Sequence, residues 1–298
     1  MLIIDKPAGM TSHDVVGRVR RVLRIRQIGH FGTLDPLATG VLPLSVGKAT
    51  RFAQFYLKSR KAYEGTLRLG WATDTYDATG RPIGEAVPVR MDRPQLEAVL
   101  RAFMGRILQV PPPFSAKRVG GVRAYELARL QKPVELKPVE VEIYALELLD
   151  FDGERARFAV ECSGGTYVRS LAHDVGQKIG CGAHLVDLRR LAVAEFRLER
   201  AVKLEELEAM AEKDGTAWPM IPLEALLPDC PELRVGRREE NQVRHGQKFE
   251  LVQGPWRKAG AADSPPIRLL KILNHERRLI AVARHVSGNI YHPDLVLV

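Results

Sequence analysis

Cysteine is scarce. The chain has 298 residues and three cysteines, Cys162, Cys181 and Cys230, widely separated and odd in number. No C-x-x-C pair occurs, so neither a zinc ribbon nor a disulfide framework is indicated. Cys181 and His184 form a lone C-x-x-H, half of what a closed zinc site needs, and no metal site is expected. Long apolar runs are missing as well: nothing approaches the ~20 residues of a membrane-spanning helix. The opening MLIIDKPAGM has neither the basic start nor the apolar length of a secretion signal. The expectation is a cytoplasmic protein that does not engage a membrane. No internal repeat is present.

Acid is scarce at the N-terminal end. Residues 1–60 hold Asp5, Asp14 and Asp35 against ten Lys and Arg, a net +7. Residues 229–298 carry +4, and the total is +9, which leaves the middle at −2. Two basic ends point to a polyanionic partner, most simply nucleic acid. Hydrophobic content of 45% and charged content of 27% describe an ordinary globular protein with a sizeable core. The length fits one large domain with one small one.

Periodicity outlines the elements. LIIDKPAGMTSHDVVGRVRRVLRIRQIG reads as a strand, a turn and a helix, with Thr11 or Ser12 as the cap and Val15, Val16, Val19, Val22 and Leu23 as its apolar stripe. Five arginines (18, 20, 21, 24, 26) occupy the other faces, where they meet either phosphates or solvent. KAYEGTLRLGW alternates as a strand does, with Tyr63, Gly65, Leu67 and Leu69 on one side. TDTYDATGRP is a turn-rich loop, and residues 92–105 form a helix capped by Asp92. Residues 109–133 are irregular, basic and rich in Pro and Gly, with a short helix at the end; such segments in compact domains often carry function. VEVEIYALELLDF and ERARFAVEC pair as strands. TYVRSLAHDVGQKIG is a helix with Val168, Leu171, Val175 and Ile179 on one face, HLVDLRRLAVAEFRLE is extended, and KLEELEAMAEK is helical. Pro222, Pro228 and Pro231 mark a boundary. Beyond it, LRVGRREENQVRHGQKFELV and IRLLKILNHERRLIAVARHV read as short strands with turns, and QGPWRKAGAADSPP as a loop between them. The expected organisation is an α+β domain over 1–228, with a mixed, mainly antiparallel sheet flanked by helices, and a small β-rich domain over 229–298.

Within GHFGTLDPLATGVLPLSVG, residues 29–47, Asp35 is the sole carboxylate. LDPL is good turn chemistry, which is the simplest account of it. A reactive carboxylate in such apolar company needs a cation beside it to stay ionised. CSGGTYVRSL supplies one: Arg169 follows Tyr167 in the first turn of a helix, after two glycines that permit close approach by backbone or ligand. Tyr63 and His30 are further candidates, although the first also fits core packing and the second an ordinary loop.

LIIDKPAGMTSHDVV, GHFGTLDPLATGVLPL, KAYEGTLRLG, TDTYDATG, PPPFSAKRVGGVRAYELAR, CSGGTYVRSLAHDVG and GCGAHLVDLRRLAV, in this order and spacing, resemble the successive motifs of the TruB family over residues 2–196. That family comprises pseudouridine synthases acting on uridine 55 in the T-loop of tRNA. The resemblance implies a pseudouridine synthase fold with Asp35 as the catalytic nucleophile and Arg169 as its partner. It also implies that Tyr63 stacks on the target uracil and that Tyr167 and Leu188 line the pocket. His30 would lie against the flipped-out nucleotide, with Lys6 and Asp77 close by. Residues 109–133 would match the inserted segment that grips the tRNA T-arm, and 229–298 by position a shortened PUA module, an RNA-binding barrel. No cofactor, metal or protein partner is implied, and a monomer is expected. Phe31 stands where relatives often have a smaller residue. The chain starts at its first strand, without the extension of guide-RNA-dependent relatives, which favours a stand-alone enzyme. The competing readings are an RNA-binding, tRNA-folding protein with secondary synthase activity, and a synthase directed by guide RNA.

Overall fold

A computed structural model describes residues 1–115, 117–119, 121–124, 127, 130, 136–212, 217–251 and 268–297. The chain divides into two compact units, one of 3–44 with 53–217 and one of 1–2 and 45–52 with 218–298.

The larger unit is built on a sheet that holds ten strands among the described residues. Its order is Val202–Lys203, Leu2–Lys6, Thr39–Val46, Ala183–Val193, Lys61–Leu69, Arg155–Cys162, Val139–Phe151, Gly105–Gln109. Ile28–His30 adds to Thr39–Val46, and Phe196–Arg197 to Ala183–Val193. Parallel pairings join Leu2–Lys6 to Val202–Lys203 and Thr39–Val46 to Ala183–Val193. From Ala183–Val193 to Gly105–Gln109 the ladder is antiparallel throughout. The sheet is therefore mixed and mainly antiparallel, and the helices Ser12–Leu23, Arg93–Arg101, Val168–Ile179 and Leu204–Glu212 accompany it.

Local sequence explains the elements that carry chemistry. Lys61–Leu69 alternates strictly between buried and half-buried positions, as a strand with one covered face must. Thr11, rather than Ser12, caps the first helix: it forms a reciprocal capping box with Asp14, and Ser12 is left buried and free for another partner. The helix expected over 92–105 starts as expected from an Asp92 cap and ends at Arg101, since Gly105 already opens a strand. The helix Val168–Ile179 buries Val168, Leu171 and Val175 of the expected face, leaves Ile179 half-buried, and buries Arg169, Ser170 and Ala172 as well.

The smaller unit contains a five-stranded sheet ordered Glu232–Arg234, Leu269–Leu273, Leu279–Ser287, Ile290–Val296, Phe249–Glu250. Val235, Val243, Phe249, Leu270, Ile272 and Ile280 form its core. One expectation is corrected here: LRVGRREENQVRHGQKFELV is not all strand, because Arg237–Arg244 is helical. Val243 is the one buried residue of that helix, so no 3.6-residue apolar period was there to be read. Glu239 and Glu240 in the first turn and the Glu240–Arg244 ion pair sustain it. The loop QGPWRKAGAADSPP lies wholly outside the described residues, and the short helix expected near the end of 109–133 lies mostly outside them.

Candidate active site

Asp35 does begin a turn. The Ala38 N–H donates to the Asp35 carbonyl at 3.1 Å, with Pro36 in the second position. The turn residue and the candidate carboxylate are therefore one and the same. Its backbone is held from three directions. Ser12 Oγ donates to the Leu34 carbonyl at 3.0 Å and accepts from the Leu34 N–H at 2.8 Å. The buried Lys6 ammonium donates to the carbonyls of Met10, Pro7 and Pro36 at 2.7, 2.8 and 3.4 Å. Arg190, wholly buried, donates to the carbonyls of Val41, Gly32 and Thr33 at 2.7, 3.0 and 3.3 Å. Gly40 allows the loop to lie on the neighbouring strand: a Cβ there would sit 2.2 Å from the Arg190 carbonyl oxygen.

Arg169 meets Asp35 as a fork. Its Nε and Nη2 donate to the two carboxylate oxygens at 2.8 and 2.9 Å. The arginine side chain is 6% exposed and the aspartate side chain 37%, so the arginine is a fixed part of the wall and the aspartate is the accessible partner. The remaining guanidinium donors go to the Thr75 carbonyl at 3.1 Å and the Phe114 carbonyl at 3.0 Å. On its far side lies the buried Asp77 carboxylate, 3.7 Å away. Asp77 is itself held by the Thr75 hydroxyl, the Thr79 hydroxyl and the Thr79 N–H at 2.8, 2.6 and 3.0 Å.

Tyr167 is the N-cap of the Arg169 helix and its side chain makes no capping bond. The buried Gln109 does that work, its Oε1 accepting from the Tyr167 N–H at 2.8 Å, while Ser170 Oγ donates to the Val110 carbonyl at 2.7 Å. Segment 109–114 is thus tied to the start of the helix. Gly164 permits the preceding turn: a Cβ would lie 2.3 Å from the Leu57 carbonyl oxygen, so the close approach is by backbone.

These elements enclose a cavity of about 360 Å³, in the range of small-ligand sites. Asp35, Tyr63, Tyr167, Arg169, Leu188 and Lys61 are among its lining residues, and Asp35 is the one carboxylate among them. Lys6 and Asp77 stand behind the lining and hold it. His30 ends the strand Ile28–His30 and is not part of the lining; its Nδ1 is buried without a hydrogen-bond partner, and burial, then Arg190, lowers its pKa. Phe31 turns away into an aromatic cluster, stacked on Tyr56 at 4.9 Å and packed on Phe196, so its bulk is absorbed by the core.

Burial pushes the Tyr63 phenol up to about 12, and the Arg190 guanidinium, hydrogen-bonded to it, pulls the other way. Burial also lowers the Lys6 and Lys61 ammoniums to about 8. Gln109, Lys61 and Arg190 were not among the residues singled out from sequence, and Ser12 was, but as a candidate helix cap. For Arg190 a signal existed: period two puts it on the same face as Leu188, inside the fold. Among the described residues, no three His, Cys, Asp or Glu side chains cluster as a metal ion would require.

Comparison with known proteins places this chain in a family. Residues 20–168 match the profile of the TruB family pseudouridylate synthase N-terminal domain, and 169–228 that of the tRNA pseudouridylate synthase B C-terminal domain. The tRNA pseudouridine synthase B of Solibacter usitatus is 48% identical over 297 residues, covering 100% of this chain and 99% of that one. The protein of the same name from Aquifex aeolicus is 45% identical over 250 residues, covering 83% of this chain and 86% of that one. A chain in the crystal structure of the archaeal box H/ACA sRNP Nop10-Cbf5 complex shares the fold, with a TM-score of 0.71 at 24% identity over 100% of this chain and 85% of that one. With a profile match through 228 and near-half identity along its whole length, the chain belongs to the TruB family of pseudouridine synthases.

Proposed function

We infer that this chain isomerises uridine to pseudouridine in tRNA, at position 55 of the T-loop, with Asp35 as the nucleophile. The observation that carries the reading is the single lining carboxylate, gripped by two guanidinium donors and partly exposed. The C1′–N1 bond breaks, the uracil turns, and a C1′–C5 bond forms. The C5 proton is lost and N1 gains one, so the product is an isomer and no electrons are transferred to or from the base. An apolar enclosure excludes water from the detached sugar while the bond is open.

Each remaining residue has a part. Tyr63 stacks on the uracil, and Tyr167 and Leu188 close the pocket around a base that has left its stack. Arg169 aims the Asp35 carboxylate through its two-pronged grip, and Asp77 and Lys6 hold that arrangement from behind. His30 sits on the approach taken by the flipped nucleotide. Residues 109–133 and the domain over 229–298 bind the T-arm, the latter as a PUA-like module. The chain works as a monomer without a protein partner or guide RNA, in the cytoplasm, where its substrate is.

The test is pseudouridine formation on an unmodified tRNA transcript by the purified chain, with Asp35→Ala alongside. Product at the T-loop uridine with the wild type and none with the variant is the expected result. Binding without product, from a folded wild type, would replace the reading with a tRNA-folding protein or a partner-dependent synthase.

A further inference from the structure

Tyr76 has an unusual backbone. Its φ is +66°, a region that bulky side chains enter at a cost of order 1 kcal/mol and that glycine enters freely. Nothing in the turn itself requires a ring at this position. The ring lies flat on the imidazole of His173, with centroids 3.8 Å apart and planes 11° from parallel.

The location of this stack gives it meaning. Tyr76 stands between Thr75, whose carbonyl accepts from Arg169 Nη1 at 3.1 Å, and Asp77, whose carboxylate is 3.7 Å from the same nitrogen. The reversal at Tyr76 lets both neighbours face one guanidinium. His173 is four residues beyond Arg169 on the helix Val168–Ile179, on the same face. The stack therefore joins the 75–77 segment to the helix that carries the arginine, one turn away from it. Strand pairing holds the segment's other side: the Leu185 N–H donates to the Tyr76 carbonyl at 3.0 Å, and the Ala78 N–H to the Leu185 carbonyl at 2.8 Å. With both sides held, Thr75 and Asp77 cannot move relative to Arg169. Without the stack, the loop is tied to the helix only through the Arg169 contacts that the stack would steady.

We propose that the Tyr76–His173 ring pair is a positioning device for the reaction, one that holds Thr75 and Asp77 against Arg169 and so fixes the fork on Asp35. The proposal rests on the synthase reading above. Neither ring touches the reacting atoms in it; both act through Arg169.

The experiment is single-turnover pseudouridine formation with saturating enzyme, beside tRNA affinity and thermal midpoint, for Tyr76→Gly, Tyr76→Phe, His173→Ala and the Tyr76→Gly/His173→Ala pair. Tyr76→Gly relieves the backbone while removing the ring. The rate is expected to fall about tenfold or more in Tyr76→Gly and His173→Ala, with affinity within about twofold of wild type. Tyr76→Phe, which keeps the ring, should restore the rate, and the double variant should lose no more than either single one. A wild-type rate in folded Tyr76→Gly would overturn the proposal. So would a slow Tyr76→Phe, or fully additive losses in the pair. Absence of product from the wild type would instead sink the synthase reading, so the two failures are distinguishable.

Discussion

At the scale of single residues, Asp35 and Arg169 divide the labour of one ion pair. The buried arginine cannot leave and the half-open carboxylate can reach a ligand. Asp35→Asn should abolish turnover while leaving tRNA affinity within about threefold, measured by filter binding and product assay. Arg169→Lys keeps the charge but replaces a two-pronged grip with a point charge; the turnover rate should drop about a hundredfold, and near-normal activity would mean that the fork does not matter. For Tyr63, removal of the ring in Tyr63→Ala should weaken tRNA binding by about 1–3 kcal/mol, the worth of base stacking. Tyr63→Phe should bind almost as wild type, and equal affinities of the two variants would exclude a stack. Lys6 and Lys61 give a pH signature. Burial lowers both to about 8, so between pH 8 and the ordinary lysine value of 10.5 the unfolded chain holds protons that the folded one has released. Their contribution to stability therefore rises with pH through that window. Lys6→Met and Lys61→Met should each flatten the thermal midpoint against pH between 8 and 10, read by differential scanning.

At the scale of elements, the site depends on how ends and turns are satisfied. Thr11 takes the cap of the first helix, which frees Ser12 to fix Leu34, the residue before Asp35. Thr11→Ala should cost about 1 kcal/mol of stability, as the removal of a cap does, with little change in rate. Ser12→Ala leaves the Leu34 N–H and carbonyl buried without that partner, at about 1–3 kcal/mol, and should slow turnover as well. Urea titration and single-turnover rates on both variants would separate the two roles, and identical behaviour would remove the distinction. Sequence pattern made the first helix legible but left two candidates for its cap. The choice was a tertiary one, since only one of the two hydroxyls meets Leu34. The same applies to Gln109, a polar residue in a strand whose value lies in capping a helix far along the chain. The helix Arg237–Arg244 escaped notice because a single buried valine cannot make a period.

At the scale of the whole molecule, charge governs the encounter with RNA. Of the five arginines on and after the first helix, Arg18 is committed to Glu208 and Arg20 donates to the Ile28 carbonyl. Arg21, Arg24 and Arg26 are exposed and line an open groove with Ile25. Affinity for tRNA should fall steeply with salt as counterions are released. Replacing these three by glutamine should weaken binding and reduce the log–log slope by about one for each phosphate that is no longer neutralised. A slope unchanged by the triple substitution would make them a solvated face.

The sequence alone determined most of the elements, the mixed α+β class and the family, because these rest on local periodicity, turn chemistry and long contiguous motifs. It also singled out Asp35, since one carboxylate in an apolar run is conspicuous without any structure. It offered Arg169 as the cation beside it, but only the tertiary structure decided how that cation grips it, what stands behind it, and why Lys6, Ser12 and Arg190 are buried where they are. Asp35 and Arg169 meet across 134 residues of chain, and Ser12 and Leu34 across 22. Spacing along a chain carries no record of such meetings; they exist once the sheet has brought the loops to one end and removed the water between them.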